Sequence, residues 1–201
     1  MNNTKLLVLL LILFLILISP VKAQKFDQIR SFEIERTNIN KTGMIVLGSW
    51  AIGNILVGTY GNFKYTGQTK YFHQFNTMWN VVNLGIAAFG YFNAAGSDPN
   101  LMTATQILNE YNSLQNFLLL NAGLDVAYMV TGLYLKERAK NSSNADRLKG
   151  YGNSLLLQGG FLLAFDVALY FIHQNNASVN LYPHLESLLS GGAGIGIRLS
   201  L

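Results

Sequence analysis

The chain has 201 residues, half of them apolar and only 12% charged, against roughly 25% charged in an ordinary soluble domain. It contains no cysteine, which excludes disulfide frameworks, thiolate catalysis and Cys-based metal sites. The net charge is +4, but the basic excess gathers in two loops, so it speaks to membrane orientation rather than to nucleic acid.

The length suits one domain. With 19 Gly and 3 Pro, the composition favours long helices in close contact. The chain opens MNNTKLLVLLLILFLILISPVKAQ, with Lys5 ahead of an unbroken apolar run from Leu6 to Ile18. That run is short of the ~20 residues a span needs, and small or modest residues follow Pro20. Residues 1–23 therefore read as a signal peptide cleaved before Gln24. An uncleaved anchor helix is the competing reading, and both send the chain to a membrane.

Next, FDQIRSFEIERTNINKTG is expected to form a helix feeding the first of four apolar spans, at 43–60. The second span, 72–92, reaches bilayer length only if its asparagines are counted in. TATQILNEYNSLQ extends the third span, 117–135, with Thr103 as N-cap. NSSNADRLKG is turn material before the fourth, 154–172. Pro183 then starts a short helix through Leu189, and GGAGIGIRLSL forms an extended tail packed on the bundle. Its glycines lack the strand–turn–helix setting of a dinucleotide site. The predicted fold is an all-α membrane protein: a four-transmembrane-helix bundle occupying 24–201, after a cleaved N-terminal signal peptide, with a short C-terminal helix and extended tail.

Loop charge orients it. Gly61–Tyr71 carries Lys64 and Lys70, and Lys136–Lys149 carries Lys136, Arg138, Lys140, Arg147 and Lys149, while Asn93–Asn116 has no Lys or Arg. The basic excess marks the cytoplasmic side, which puts both mature termini outside. The segment from Gln24 to Lys41 mixes both signs and weakens the pattern. A faint internal repeat, Trp50-x3-Asn54-x6-Gly61-x-Phe63 recurring as Trp79-x3-Asn83-x6-Gly90-x-Phe92, suggests a duplicated hairpin.

At 100° per residue, His73, Asn76, Asn80, Asn83, Ala87 and Gly90 share an arc of roughly 100°, and Phe75, Val82, Ile86 and Phe89 point away. Trp50, Asn54, Gly58 and Gly61 share a side of the first span. Asn121, Asp125, Tyr128 and Gly132 do so on the third, and Gly159, Asp166, Tyr170 and His173 on the fourth. A mid-bilayer Asp costs about 2.5–3.5 kcal/mol, so these stripes are expected to face one another. Ser49-x3-Gly53 and Ala164-x3-Ala168 are candidate close-approach sites. Asn54, Asn83 and Asp125 fall near the midplane, with Asp166 slightly outward.

KTGMIVLGSWAIGN, GQTKYFHQFNTMWNVVNLGIA and LNAGLDVAYMVTGLYL resemble a family of uncharacterised small membrane proteins from Bacteroidota, through the W-x3-N and YFHQ-x-N-x2-WN patterns. The resemblance implies a helical membrane protein and brings no activity, cofactor or catalytic residue. The expected function is a structural or accessory bundle held by an interior polar cluster of Asn54, His73, Asn76, Asn80, Asn83, Asn121, Asp125, Asp166 and Tyr170. The alternative is a small carrier or proton or cation pathway using Asp125 and Asp166. Two further readings fare worse. Haem on His73 and His173 would need ligands from opposite membrane faces. An aspartate-pair enzyme would need both carboxylates within a few ångströms, and Gly123-Leu124-Asp125 lacks the Gly-x-Gly-Asp of intramembrane aspartyl proteases. The chain is expected to be no enzyme, to hold no cofactor or metal, and to sit in a bacterial inner membrane. Its partners are lipid and either copies of itself or another membrane protein.

Overall fold

The computed structural model describes side chains for residues 27–185 and helical backbone from Asn3. Of the signal segment 1–23 only the backbone from Asn3 is described, and the tail GGAGIGIRLSL and the end of the helix expected at Pro183–Leu189 lie outside the described residues. Four helices carry the fold: α1 (Asn3–Lys64), α2 (Gly67–Gly96), α3 (Ala104–Arg138) and α4 (Ala145–Asn180). Short 3₁₀ turns at Pro99–Leu101 and Ala139–Asn141 lead into α3 and out of it.

The connections are set locally. Gly67 sits at φ +57, a left-handed conformation that glycine adopts without penalty, and this lets α2 begin after only two linking residues, Tyr65 and Thr66. Ahead of α3, Thr103 and Gln106 form a reciprocal capping box: the Gln106 amide donates to Thr103 Oγ1 at 3.3 Å, and the Thr103 amide donates to Gln106 Oε1 at 2.8 Å. The cap expected at Thr103 is therefore present. The helical extensions expected before the first and third spans are also there, continuous with α1 and α3.

α1 pairs with α2, α3 pairs with α4, and α4 packs against α2 and, less extensively, α1. Close backbone approach joins α3 to α4. A Cβ on Gly132 would lie 2.7 Å from the Gly152 carbonyl, and one on Gly152 would lie 2.6 Å from the Gly132 carbonyl, so neither position tolerates a side chain as packed. The two small-residue pairs expected to do this work face outward instead. Gly53 has nothing within 4 Å of where its Cβ would be, and Ser49, Ala164 and Ala168 are exposed. Spacing places two small residues on one face but does not say which face meets a neighbour.

The bundle has two zones with opposite polarity. At the end that carries the α2–α3 connection, Ile29, Phe32, Ile107, Tyr111, Ala177 and Leu181 form a buried apolar core. Polar residues such as Glu35, Asn38, Asn109 and Asn175 are exposed around it. Past Thr42, Phe117 and Ile172 the pattern inverts. The outside is apolar, with Leu56 66% and Phe89 77% exposed, and the inside holds polar side chains, Asn80 and Gln158 at 0%, among buried apolar ones such as Ala51 and Leu155.

Three helical stretches, Asp27–Lys64, Ala104–Asn141 and Ala145–Leu185, are long and apolar enough to cross a membrane. The second expected span, 72–92, is not among them, because the asparagines of α2 dilute its apolar content. On α2, Asn76, Asn80, Asn83 and Ala87 are buried, and Val82, Ile86 and Phe89 are exposed, as the helical spacing predicts. Phe75 departs from expectation: it is half-buried, its ring 4.8 Å from that of Tyr151 on α4.

Candidate functional site

The interior polar residues divide into two groups. The first is a closed ring of hydrogen bonds across α1, α2 and α4. Trp50 Nε1 donates to Gln158 Oε1 at 3.1 Å. Gln158 Nε2 donates to Asn76 Oδ1, and Asn76 Nδ2 donates to Asn54 Oδ1 at 2.8 Å. Asn54 Nδ2 returns to the Trp50 carbonyl at 2.8 Å, which closes the circuit. The Trp50 indole is clamped by Phe161, stacked at 3.8 Å between centroids. From Asn76 the row continues along α2: Asn80 Nδ2 donates to the Asn76 carbonyl at 2.8 Å, and Asn83 lies 3.5 Å from Asn80 Oδ1.

Gln158 is the hub of this ring, and nothing in the sequence singles it out. It is one polar residue in the apolar run LLLQGGFLL, so it creates no periodic stripe.

The second group surrounds a cavity of about 280 Å³ lined by all four helices. Asp125 on α3 and Asp166 on α4 both line it, with their carboxyl groups close enough to interact. The separation expected along the bilayer normal is therefore absent. Gly159 permits the pairing: a Cβ there would stand 2.9 Å from the Asp125 carbonyl. Asp125 is 3% exposed and its Oδ2 has no hydrogen-bond partner. Asn40, Asn83 and Asn121 also line the cavity, and Trp79 and Tyr128 meet edge to face at 4.8 Å at its inner end.

The remaining candidates lie elsewhere. His73 stacks on Tyr65 at 5.6 Å beside Gly61, near the α1–α2 turn, and joins neither polar group. His173 hydrogen-bonds Asn40 Oδ1 at 2.9 Å. It stands fifteen residues beyond Gln158 on α4, about 22 Å along the axis, so the two histidines occupy opposite ends of the bundle. Tyr170 is half-buried beside Phe171 and does not line the cavity. Among the described residues no three His, Cys, Asp or Glu side chains converge as metal ligands.

The apolar head holds a charge cluster of its own. Arg36 donates to Glu33 through Nε at 2.7 Å and Nη2 at 2.6 Å, and Nη2 also reaches Glu110 on α3. Glu33 is wholly buried. Burial alone would lower the Arg36 pKa; the hydrogen bonds and charge of Glu33, with Glu110 beyond, outweigh it and hold the pKa raised.

The model of a family of unknown function, DUF6992, matches residues 46–167. The chain belongs to that family. The match takes in the amide ring and both aspartates and leaves out the Glu33–Arg36 pair. No curated protein and no solved structure matches the chain.

Proposed function

We propose that this DUF6992 member is an integral membrane protein acting as a structural or accessory bundle, with its helices fastened from inside by the amide ring. The observation that carries this is the distribution of polarity in the central zone: an apolar outside over buried amides and carboxyls. Membrane helices have no hydrophobic drive to associate and depend on close packing and interhelical hydrogen bonds. The Gly132–Gly152 contact and the Trp50–Gln158–Asn76–Asn54 ring supply one of each.

In this reading α2 crosses the bilayer with the other three helices, its polar face turned inward. The basic loops lie in the cytoplasm and the apolar head lies outside, in a bacterial inner membrane, and the role is non-catalytic. A reporter fused at residue 96 that is active only outside the cytoplasm supports it; one active only inside overturns it.

A second reading is favoured by a separate observation, the neighbouring carboxyls of Asp125 and Asp166 lining one cavity. It makes that pair a site for a proton or a cation. In proteoliposomes, flux lost on Asp125→Asn or Asp166→Asn supports it, and absence of any flux in the parent counts against a carrier.

A further inference from the structure

No Cα of α2 lies within 8 Å of a Cα of α3. The two helices stand apart, and α1 and α4 floor the cleft between them. The Trp79–Tyr128 pair closes its inner end. Above that pair lies the aspartate cavity, which shares Asn40, Met44, Ile86, Leu114 and Phe117 with a second hollow of about 580 Å³. The second hollow reaches Arg36 and Glu110 at the head. Val82, Ile86, Phe117 and Leu124 line the aspartate cavity and are also exposed on the outside of the bundle. The lip of the cleft is therefore apolar and faces the surface that lipid would cover.

The aspartate cavity itself is largely apolar, but two carboxyls and three amides line it, with no Lys or Arg. A buried carboxylate oxygen with no donor is costly and uncommon, and Asp125 Oδ2 is one. It marks a place where a donor belongs. Next to it, Trp79 and Tyr128 offer aromatic rings of the kind that attract cations.

Size and ligand count narrow the occupant. A proton needs no cavity. A bare metal ion needs about six oxygen ligands in a compact shell, which a largely apolar hollow does not provide. The volume lies just below the range of ~300–1,000 Å³ typical of small-molecule pockets, so the ligand is small.

We infer that the cleft binds a small apolar amine as its ammonium ion, admitted sideways from the bilayer between α2 and α3. The ammonium sits on the Asp125–Asp166 pair and the hydrocarbon lies toward the lip. This rests on the second reading above and deepens it by naming the ligand class and its point of entry.

The test uses full-length protein in phosphatidylcholine nanodiscs with radiolabelled 2-phenylethylamine, subtracting counts from empty discs. The expected result is saturable binding that excess 2-phenylethanol, of the same shape but neutral, and excess Na⁺ do not displace. Asp125→Asn and Asp166→Asn each weaken it about tenfold or more, the loss expected when a charged hydrogen-bond partner is removed. Equal displacement by the alcohol overturns the inference in the parent protein alone, so it does not depend on the variants folding. Absence of saturable amine binding also overturns it. If Asp-dependent proton or Na⁺ flux is then found, only the amine inference falls; if that too is absent, the second reading falls with it.

Discussion

Replacing Gln158 with Leu tests the amide ring at its hub. The side chains are close in size, so packing changes little, but two interhelical bonds vanish: the one Gln158 donates to Asn76 and the one it accepts from Trp50. Interhelical hydrogen bonds in membranes contribute about 0.6–2 kcal/mol each, which sets the expected loss at about 1–4 kcal/mol. The Trp50 indole N–H and Asn76 Oδ1 are left inside the bundle without these partners, which pushes the value toward the upper half. The assay is unfolding in mixed dodecylmaltoside–SDS micelles, followed by helix content, with Ser49→Ala as an exposed control expected within about 0.5 kcal/mol. A Gln158→Leu variant as stable as its parent would refute the claim that the ring fastens α1, α2 and α4.

Gly152→Val is expected to cost about 1–3 kcal/mol in the same assay, because its Cβ would meet the Gly132 carbonyl at 2.6 Å. Gly53→Val, with open space around it, is expected within about 0.5 kcal/mol; the reverse order would mean that the outward pair makes the contact after all. Arg36→Met leaves the fully buried Glu33 without its cation, and the expected loss is about 3–5 kcal/mol, with Arg36→Lys losing less because the charge stays and only the fork geometry goes. Burial, then the neighbouring Tyr182 hydroxyl, push the Tyr111 phenol above its ordinary 10.0. Its contribution is therefore complete below pH 10 and falls as pH rises beyond that, since the unfolded chain gives up the proton first. In Tyr111→Phe, stability measured from pH 8 to 11 is expected to fall less steeply than in the parent.

Much of this architecture was legible because it is periodic. His73, Asn76, Asn80 and Asn83 recur at three and four residues, the spacing that puts side chains on one helix face, and the burial of the three asparagines follows that face. The Thr103 cap was readable from its local pattern. The start of the polarity inversion near residues 43 and 117 was readable from where polar residues give way to apolar ones.

Contacts between helices were not legible in the same way. Gln158 has no periodic companions, so nothing along the chain distinguishes it from an isolated polar residue. Asp125 and Asp166 were placed at different depths because loop lengths fix registry only loosely. The close approach at Gly132, Gly152 and Gly159 sets the actual registry. His73 shares the asparagine face yet lies one turn too near the α1–α2 link to reach the ring, where Tyr65 takes up its ring face. Tyr170 shares the stripe of Asp166 but has no part in the cavity.

Because the chain has no cysteine, single-cysteine variants along α2 can each carry one nitroxide label without background. The accessibility of such labels at residues 81–89, in protein reconstituted into bilayers, reads directly whether α2 lies in lipid with its amides turned inward. Labels at 82, 86 and 89 should collide readily with dissolved oxygen and poorly with a water-soluble nickel chelate, and labels at 83 and 87 should be shielded from both. High nickel accessibility at 82, 86 and 89 would place that face in water and contradict the account.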